Sequence, residues 1–308
     1  MYRGNNMYQY PKPYLSVAQL TQKLEDLGME IASQEEAEKA FTTIGYYRLK
    51  GYCYHKFDST ANQYSAGTKL GDVLRLYSFD TKMSHLIFGY ISQIEVALRV
   101  RLVNAFQPML EPTALNDPSF FKNKEHYWKN QGAVSAEIAR SSDVFIAHNC
   151  DNHDGAIPMW AAVEIMSFGT LSKMIKNLKG GQNSVLSNII QNYKYKNSNG
   201  QLIIPSKNMF TSWIQTVSAM RNICAHNSRI YNRAISSIPQ LIHADCISPT
   251  PRFNGLYQII LAMKYLRPTD ESWNDFVNEL KALIFQYSDV CDLNRINFPS
   301  DWEAHFTV

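Results

Sequence analysis

The sequence predicts an all-α protein. Three observations carry that prediction: apolar residues recur at helical spacing over residues 70–107, serine caps and glycine terminators bracket the shorter segments, and strand-like signal is confined to one small hairpin candidate. At 308 residues the chain is long enough to bury a substantial core.

The elements follow in order. "SVAQLTQKLEDLG" offers Ser16 as an N-cap, leucines at 20, 24 and 27, and Gly28 as a stop. "SQEEAEKAFTTIG" repeats the logic, with Ser33 and Glu36 spaced as a capping box and Gly45 at the end. "YYRLKGYCYHKF" fits a short helix or a buried turn equally well. Residues 70–107 read as one long helix, with a kink expected near Gly89 and with Ile87, Ile91, Ile94, Leu98 and Ala105 on one face; Pro108 and Pro112 end it. Residues 117–147 suggest one or two helices broken near Gly132, followed by the polar loop "HNCDNHDGAIP". Residues 160–178 suggest a single helix closed by Gly180 and Gly181, and "NYKYKNSNGQLIIP" a turn region with a hairpin around Asn199 and Gly200. Residues 206–225 are expected to be helical, "ISSIPQLIHADCISPTPRF" a loop, and residues 254–266 and 272–290 two last helices. The expected organisation is an amino-terminal helical region over 1–68, a helical core over 69–235, and a carboxy-terminal loop and helices over 236–308 that pack on that core.

Charge is distributed unevenly. The chain carries 30 basic and 27 acidic residues, a net of +3, which by itself calls for neither nucleic acid nor membrane. Residues 181–260, however, hold seven basic residues (Lys194, Lys196, Lys207, Arg221, Arg229, Arg233, Arg252) against Asp245 alone. A basic segment on a slightly acidic body is the footprint of a docked polyanion, although a solvated face gives the same pattern. The five cysteines are scattered, without a C-x-x-C pair, which argues against a disulfide framework or a structural zinc and for a reducing compartment. No run approaches the roughly 20 apolar residues of a membrane span, and the first residues lack a secretory pattern, so a cytoplasmic protein is expected.

The densest polar chemistry lies in "RNICAHNSRIYNR", residues 221–233. On a helical wheel of roughly 100° per residue drawn over residues 213–233, Trp213, Val217, Met220 and Cys224 form an apolar stripe, and Asn222, His226, Arg229 and Arg233 an opposite polar one. Arg221 falls between them and can reach toward the imidazole, more so if the helix loosens near Asn227. Histidine exchanges protons near neutrality, and arginine presents a permanently charged fork to phosphate. Together they suit metal-free RNA cleavage: His226 as general acid or base, Arg221 stabilising charge on the phosphoryl oxygens, Asn222 orienting the imidazole or donating to phosphate. An ordinary amphipathic surface helix shows the same two stripes.

The stretch resembles the R-x4-6-H signature of HEPN domains, helical modules many of which are ribonucleases. More narrowly it is similar to the Abi-like abortive-infection family, the AbiD and AbiF group of phage-defence proteins, through an R-N-x-x-x-H-x-x-R-x-x-N-R pattern matched by Arg221, Asn222, His226, Arg229, Asn232 and Arg233. "KPYLSVAQLTQKLEDLG", "IGYYRLKGY", "LYSFDTKMSHLIFGYISQIEVALRVRL" and "PMWAAVEIMSFGTLSKMIKNL" resemble further family blocks in the same order, so the resemblance spans residues 12–233. Ser84 departs from it, standing where a basic residue is expected. The resemblance implies an all-α HEPN-type bundle with an amino-terminal extension and additional carboxy-terminal helices, RNA as substrate or structured partner, and a homodimer whose two R-x4-H motifs share a cleft. It also implies growth arrest in defence against phage by RNA cleavage.

Secondary candidates surround this motif. Glu95 and Arg99 have the acid-first spacing of a helix pair and could brace Arg221 or His226 from the long helix. Glu164, on an otherwise apolar helix, could pair with a motif arginine unless it is simply exposed. Lys194, Lys196 and Lys207 join Arg229 and Arg233 as candidate RNA contacts, with the tyrosines of "NYKYKNSNG" available for stacking. "HNCDNH" has metal-binding residue types but no familiar ligand spacing, so no metal and no other cofactor is expected. The leading expectation is a metal-independent endoribonuclease; its rival is a non-catalytic or latent protein that holds a structured RNA or antitoxin.

Overall fold

The structure, a computed structural model, describes residues 11–196, 200–246 and 255–308. Among them are thirteen α-helices and two short hairpins, so the chain is all-α. Two compact units divide it.

The first unit holds the described residues up to Asp80, together with Tyr287–Cys291. In α1 (Val17–Asp26) the Ser16 hydroxyl accepts the Gln19 N–H while the Gln19 side chain accepts the Ser16 N–H, a closed capping box. In α2 (Gln34–Thr43) Ser33 accepts from the Glu36 N–H, but the Glu36 carboxylate turns to the Ala32 N–H instead of closing the box. The tyrosine-rich stretch is a helix, α3 (Tyr46–Cys53), and its Tyr52 hydroxyl donates to Asp80 at 2.7 Å. A hairpin of β1 (Phe57–Asp58) and β2 (Gln63–Tyr64) went unforeseen because two-residue strands leave no alternation to read. Arg75 makes a two-pronged pair with Asp289 at 2.8 and 3.0 Å and lies over the Tyr287 ring, which ties the Tyr287–Cys291 segment into this unit.

The second unit comprises Thr81–Gln286 and Asp292–Val308. The long helix α4 (Leu70–Phe106) supplies its Ile87, Ile91, Ile94 and Leu98 face, all fully buried. Helix α5 (Lys124–Arg140) passes through Gly132 unbroken. Helix α6 (Val144–Asn152) takes in the first five residues of the predicted polar loop, 148–152, and residues 153–158 form the loop. Where one helix was expected over 160–178, there are two, α7 (Met159–Ile165) and α8 (Phe168–Asn177): Met166 and Ser167 adopt extended backbone, and the Ser167 hydroxyl restarts the helix by accepting the Thr170 N–H. Helix α9 (Val185–Ile190) precedes a hairpin of β3 (Tyr195–Lys196) and β4 (Leu202–Ile203), whose connecting residues 197–199, Asn199 among them, lie outside the described set.

Helix α10 (Lys207–Ala225) starts at Ser206, which accepts the Met209 N–H. It packs chiefly on α8 and on α11 (Leu256–Tyr265), a helix buried all round and therefore internal. The apolar stripe of α10, from Trp213 to Cys224, is buried, and the Trp213 indole donates to the Gln240 carbonyl at 2.6 Å. Helices α12 (Asp270–Gln286) and α13 (Trp302–Phe306) complete the unit, with Trp273, Phe298, Trp302 and Phe306 in one aromatic cluster against Tyr257. Among the described residues no helix is long and apolar enough to cross a membrane.

Candidate functional site

The motif straddles the end of α10. Arg221 and Asn222 lie on its last turn and His226 is the C-cap residue, so the helix does not continue to 233 as the wheel assumed. Two hydrogen bonds explain the stop: the Asn227 N–H reaches the Cys224 carbonyl at 2.9 Å and the Ser228 N–H the Ile223 carbonyl at 3.0 Å, with Asn227 left-handed at φ 49°. This is the Schellman arrangement, with asparagine in the place glycine usually takes. It leaves the His226 side chain exposed at a point where the chain turns away, and Asn222 is exposed one turn before it.

The rest of the pattern builds the turn that follows. The Arg229 guanidinium donates to the carbonyls of Tyr231 at 2.9 Å and Asn232 at 3.1 Å, and Arg233 donates back to the Arg229 carbonyl at 3.2 Å. Asn232 is again left-handed, at φ 51°. Arg229 and Arg233 therefore spend donors on backbone carbonyls, while both keep partial exposure.

Arg221 is positioned from α4. Its Nε is buried 4.0 Å from Oε2 of Glu95, close enough for charge attraction but too far for a hydrogen bond, and its guanidinium lies 5.6 Å from the centre of the Phe88 ring. Glu95 is buried and meets Arg99 at 2.6 Å; Arg99 in turn donates to the Met166 carbonyl at 2.9 Å, at the break between α7 and α8. Burial pushes the Glu95 carboxyl above its ordinary range, and the two arginines pull it back. The Arg221 side chain remains 35% exposed, so the same residue that faces Glu95 inside also reaches solvent.

The remaining candidates disperse. Glu164 is exposed on α7, which removes the reason to pair it with a motif arginine; the acid that meets Arg221 is Glu95. Lys207 is turned inward, its ammonium capping α8 through the Leu178 carbonyl at 2.9 Å, and burial followed by the nearby Lys122 charge lowers its pKa. Lys194 and Lys196 stand exposed at the β3 end of the hairpin, and Arg252 lies outside the described residues. Ser84 is buried with an unpartnered hydroxyl, a setting that would not accommodate the basic residue expected there. The His148 and His153 rings meet edge-on at 5.3 Å, but among the described residues no three metal-ligating side chains converge.

A family model described as Abi-like protein matches residues 39–232, a span that begins in α2 and ends with Asn232 of the motif. No curated protein and no solved structure matches the chain.

Proposed function

Since the chain belongs to the Abi-like family, a family associated with abortive infection in defence against phage, we propose that it is a metal-independent endoribonuclease of the HEPN type. The observation that supports this reading is the pairing of a held arginine with a free imidazole at one helix end. Arg221 is fixed on its inner side by Glu95 and Phe88, and His226 stands exposed at the cap of the same turn.

In this reading the ribose 2′-hydroxyl attacks the adjacent phosphorus, losing its proton to a base, while the 5′-oxygen leaves with a proton from an acid. His226 takes one of these proton-transfer roles. Arg221 offsets the charge that builds on the non-bridging oxygens, and Asn222 donates to phosphate or orients the imidazole. A homodimer with facing motifs would bring a second His226 for the other proton. Lys194 and Lys196, with the exposed parts of Arg229 and Arg233, would hold the flanking phosphates.

The second reading, a non-catalytic or latent holder of a structured RNA, draws on one observation: among the described residues no side chain orients the His226 imidazole. The two separate in one experiment. Purified wild-type and His226→Ala proteins are incubated with total cellular RNA in excess EDTA and the fragment ends are determined. Fragments with 2′,3′-cyclic phosphate and 5′-hydroxyl ends, made by wild type and lost in the variant, are expected. RNA left intact by both proteins but retained by both favours the holder.

A further inference from the structure

A second basic feature lies away from the motif's own residues. Between α5 and α8, with Gln215 of α10 contributing, is a cleft of about 560 Å³, within the range of roughly 300–1,000 Å³ typical of small-molecule sites. Lys122 and Lys129 line it from the α5 side and Lys173 and Lys176 from α8, with His126 among them. No carboxylate lines it among the described residues. Lys129 is paired with Glu125 at 2.7 Å, whereas Lys122, Lys173 and Lys176 have no such acid among the described residues. Glu137, which meets the lining residue Thr170, accepts its hydroxyl at 3.0 Å and faces Arg140 at 3.6 Å.

The cleft is built on a rigid floor. Asn177, at the end of α8, exchanges two hydrogen bonds with the Asn123 backbone at 2.9 and 3.1 Å, the Lys122 N–H donates to the Asn177 carbonyl, and Phe121 bridges to Leu178. The last turn of α8 is thereby stitched to the first turn of α5, which fixes where the lysine stems leave the backbone. One group in the lining is left unsatisfied: Asn130 is only 7% exposed, and its Nδ2 has no hydrogen-bond partner. A buried amide donor without a partner costs free energy, and in a ring of cations the chemistry that relieves it is an anionic oxygen.

We propose that this cleft is a binding site for a polyphosphate of nucleotide size. The three lysines without an acid, together with Lys129, bring four ammonium groups to the roughly four negative charges of a triphosphate, the unpartnered Asn130 amide in the lining offers a donor, and the volume fits a compact ligand. With no carboxylate at hand to hold a metal, the lysines themselves neutralise the phosphates. The inference does not rest on ribonuclease activity: a protein that cleaves nothing could still bind here.

Isothermal titration of the full chain with inorganic tripolyphosphate, ATP and GTP, each in EDTA, tests it. One saturable site is expected, weakened at least about tenfold in Lys173→Ala and in Lys176→Ala, the scale of a lost charge-assisted contact. Both lysines are exposed, so the variants should fold as wild type does. Lys39→Ala, an exposed lysine on α2, should bind normally. Tighter binding of ATP or GTP than of tripolyphosphate would identify a nucleoside ligand, and equal binding would confine recognition to the phosphates; either supports the site. Absence of saturation with all three, or binding unchanged in Lys173→Ala/Lys176→Ala, overturns it. So does binding restricted to RNA oligomers with affinity rising with their length, which would make the cleft part of an RNA track.

Discussion

Oε2 of Glu95 on α4 stands 4.0 Å from Nε of Arg221 on α10, while Oε1 of the same carboxylate holds Arg99 at 2.6 Å. One buried acid thus serves two cations, and removing its charge affects both. Replacing Glu95 with Ala should destabilise the protein by about 2–4 kcal/mol, because Arg99 would lose its buried hydrogen-bond acceptor and a cavity would open beside it. Denaturant melts read this directly. A loss below about 0.5 kcal/mol would show that the triad is only a surface pairing.

Glu95→Gln isolates the charge from the shape. Burial raises the folded pKa of Glu95 above its ordinary 4.5, so the native state binds that proton more tightly than the unfolded chain does. The stability tied to this proton is complete below 4.5 and is lost as the pH rises through the folded value. The Gln variant lacks that loss. Wild type minus variant, measured by thermal melts from about pH 4 to about pH 7, should fall with pH; a flat difference would mean that the arginines cancel the burial cost.

The left-handed Asn227 ends α10. Asn227→Gly should be tolerated, whereas Asn227→Ala should cost about 1 kcal/mol, the penalty of a Cβ in that conformation without the asparagine's tolerance for it. If the cap also sets where His226 stands, RNA cleavage should fall more in the alanine than in the glycine variant. Equal activities would uncouple cap from site.

Arg229 and Lys196 should behave as opposites, although both are cations of the same basic segment. Arg229→Ala removes the donors to two loop carbonyls and should cost about 1.5–3 kcal/mol of stability. Lys196→Ala, exposed on the hairpin, should leave stability within about 0.5 kcal/mol and lower the slope of log affinity for RNA against log salt by about one. Filter binding across a salt series distinguishes them.

His226 is exposed, so His226→Ala should also leave stability within about 0.5 kcal/mol. Its cleavage rate should nonetheless drop by about 100-fold or more, the usual worth of a general acid or base. A comparable loss of folding would assign His226 a structural role instead.

Much of this was legible in the sequence where local rules decide. Ser16, Ser33 and Ser206 mark helix starts, the Ile87 to Leu98 face is internal, and the spacing of Glu95 and Arg99 gives their pair. What escaped depends on partners distant in the chain or on one residue overriding a periodic pattern. The polar stripe keeps helical spacing as far as Arg233, yet Asn227 leaves the helix and turns Arg229 and Arg233 into loop braces. Ser167 was readable as a cap but was hidden inside an apolar run. The cleft of Lys122, Lys129, Lys173 and Lys176 joins lysines about 50 residues apart in the chain; the three-residue step from Lys173 to Lys176 marks a basic helix face, but only folding sets α5 beside it.

The separation of Arg221 from His226 is an angular setting as well as a count of residues. Arg221 faces inward to a carboxylate on another helix, and the chain is released from the helix at His226, so the intervening residues fix the dial between an anchored end and a free one. Inserting a single residue there would turn the anchor by about 100° and shift it by about 1.5 Å relative to the released end. The arginine would be swung off Glu95 or the histidine off its outlet. In this chain an inserted residue therefore disturbs the site more than a conservative exchange at the half-buried Ile223 or the exposed Ala225 would.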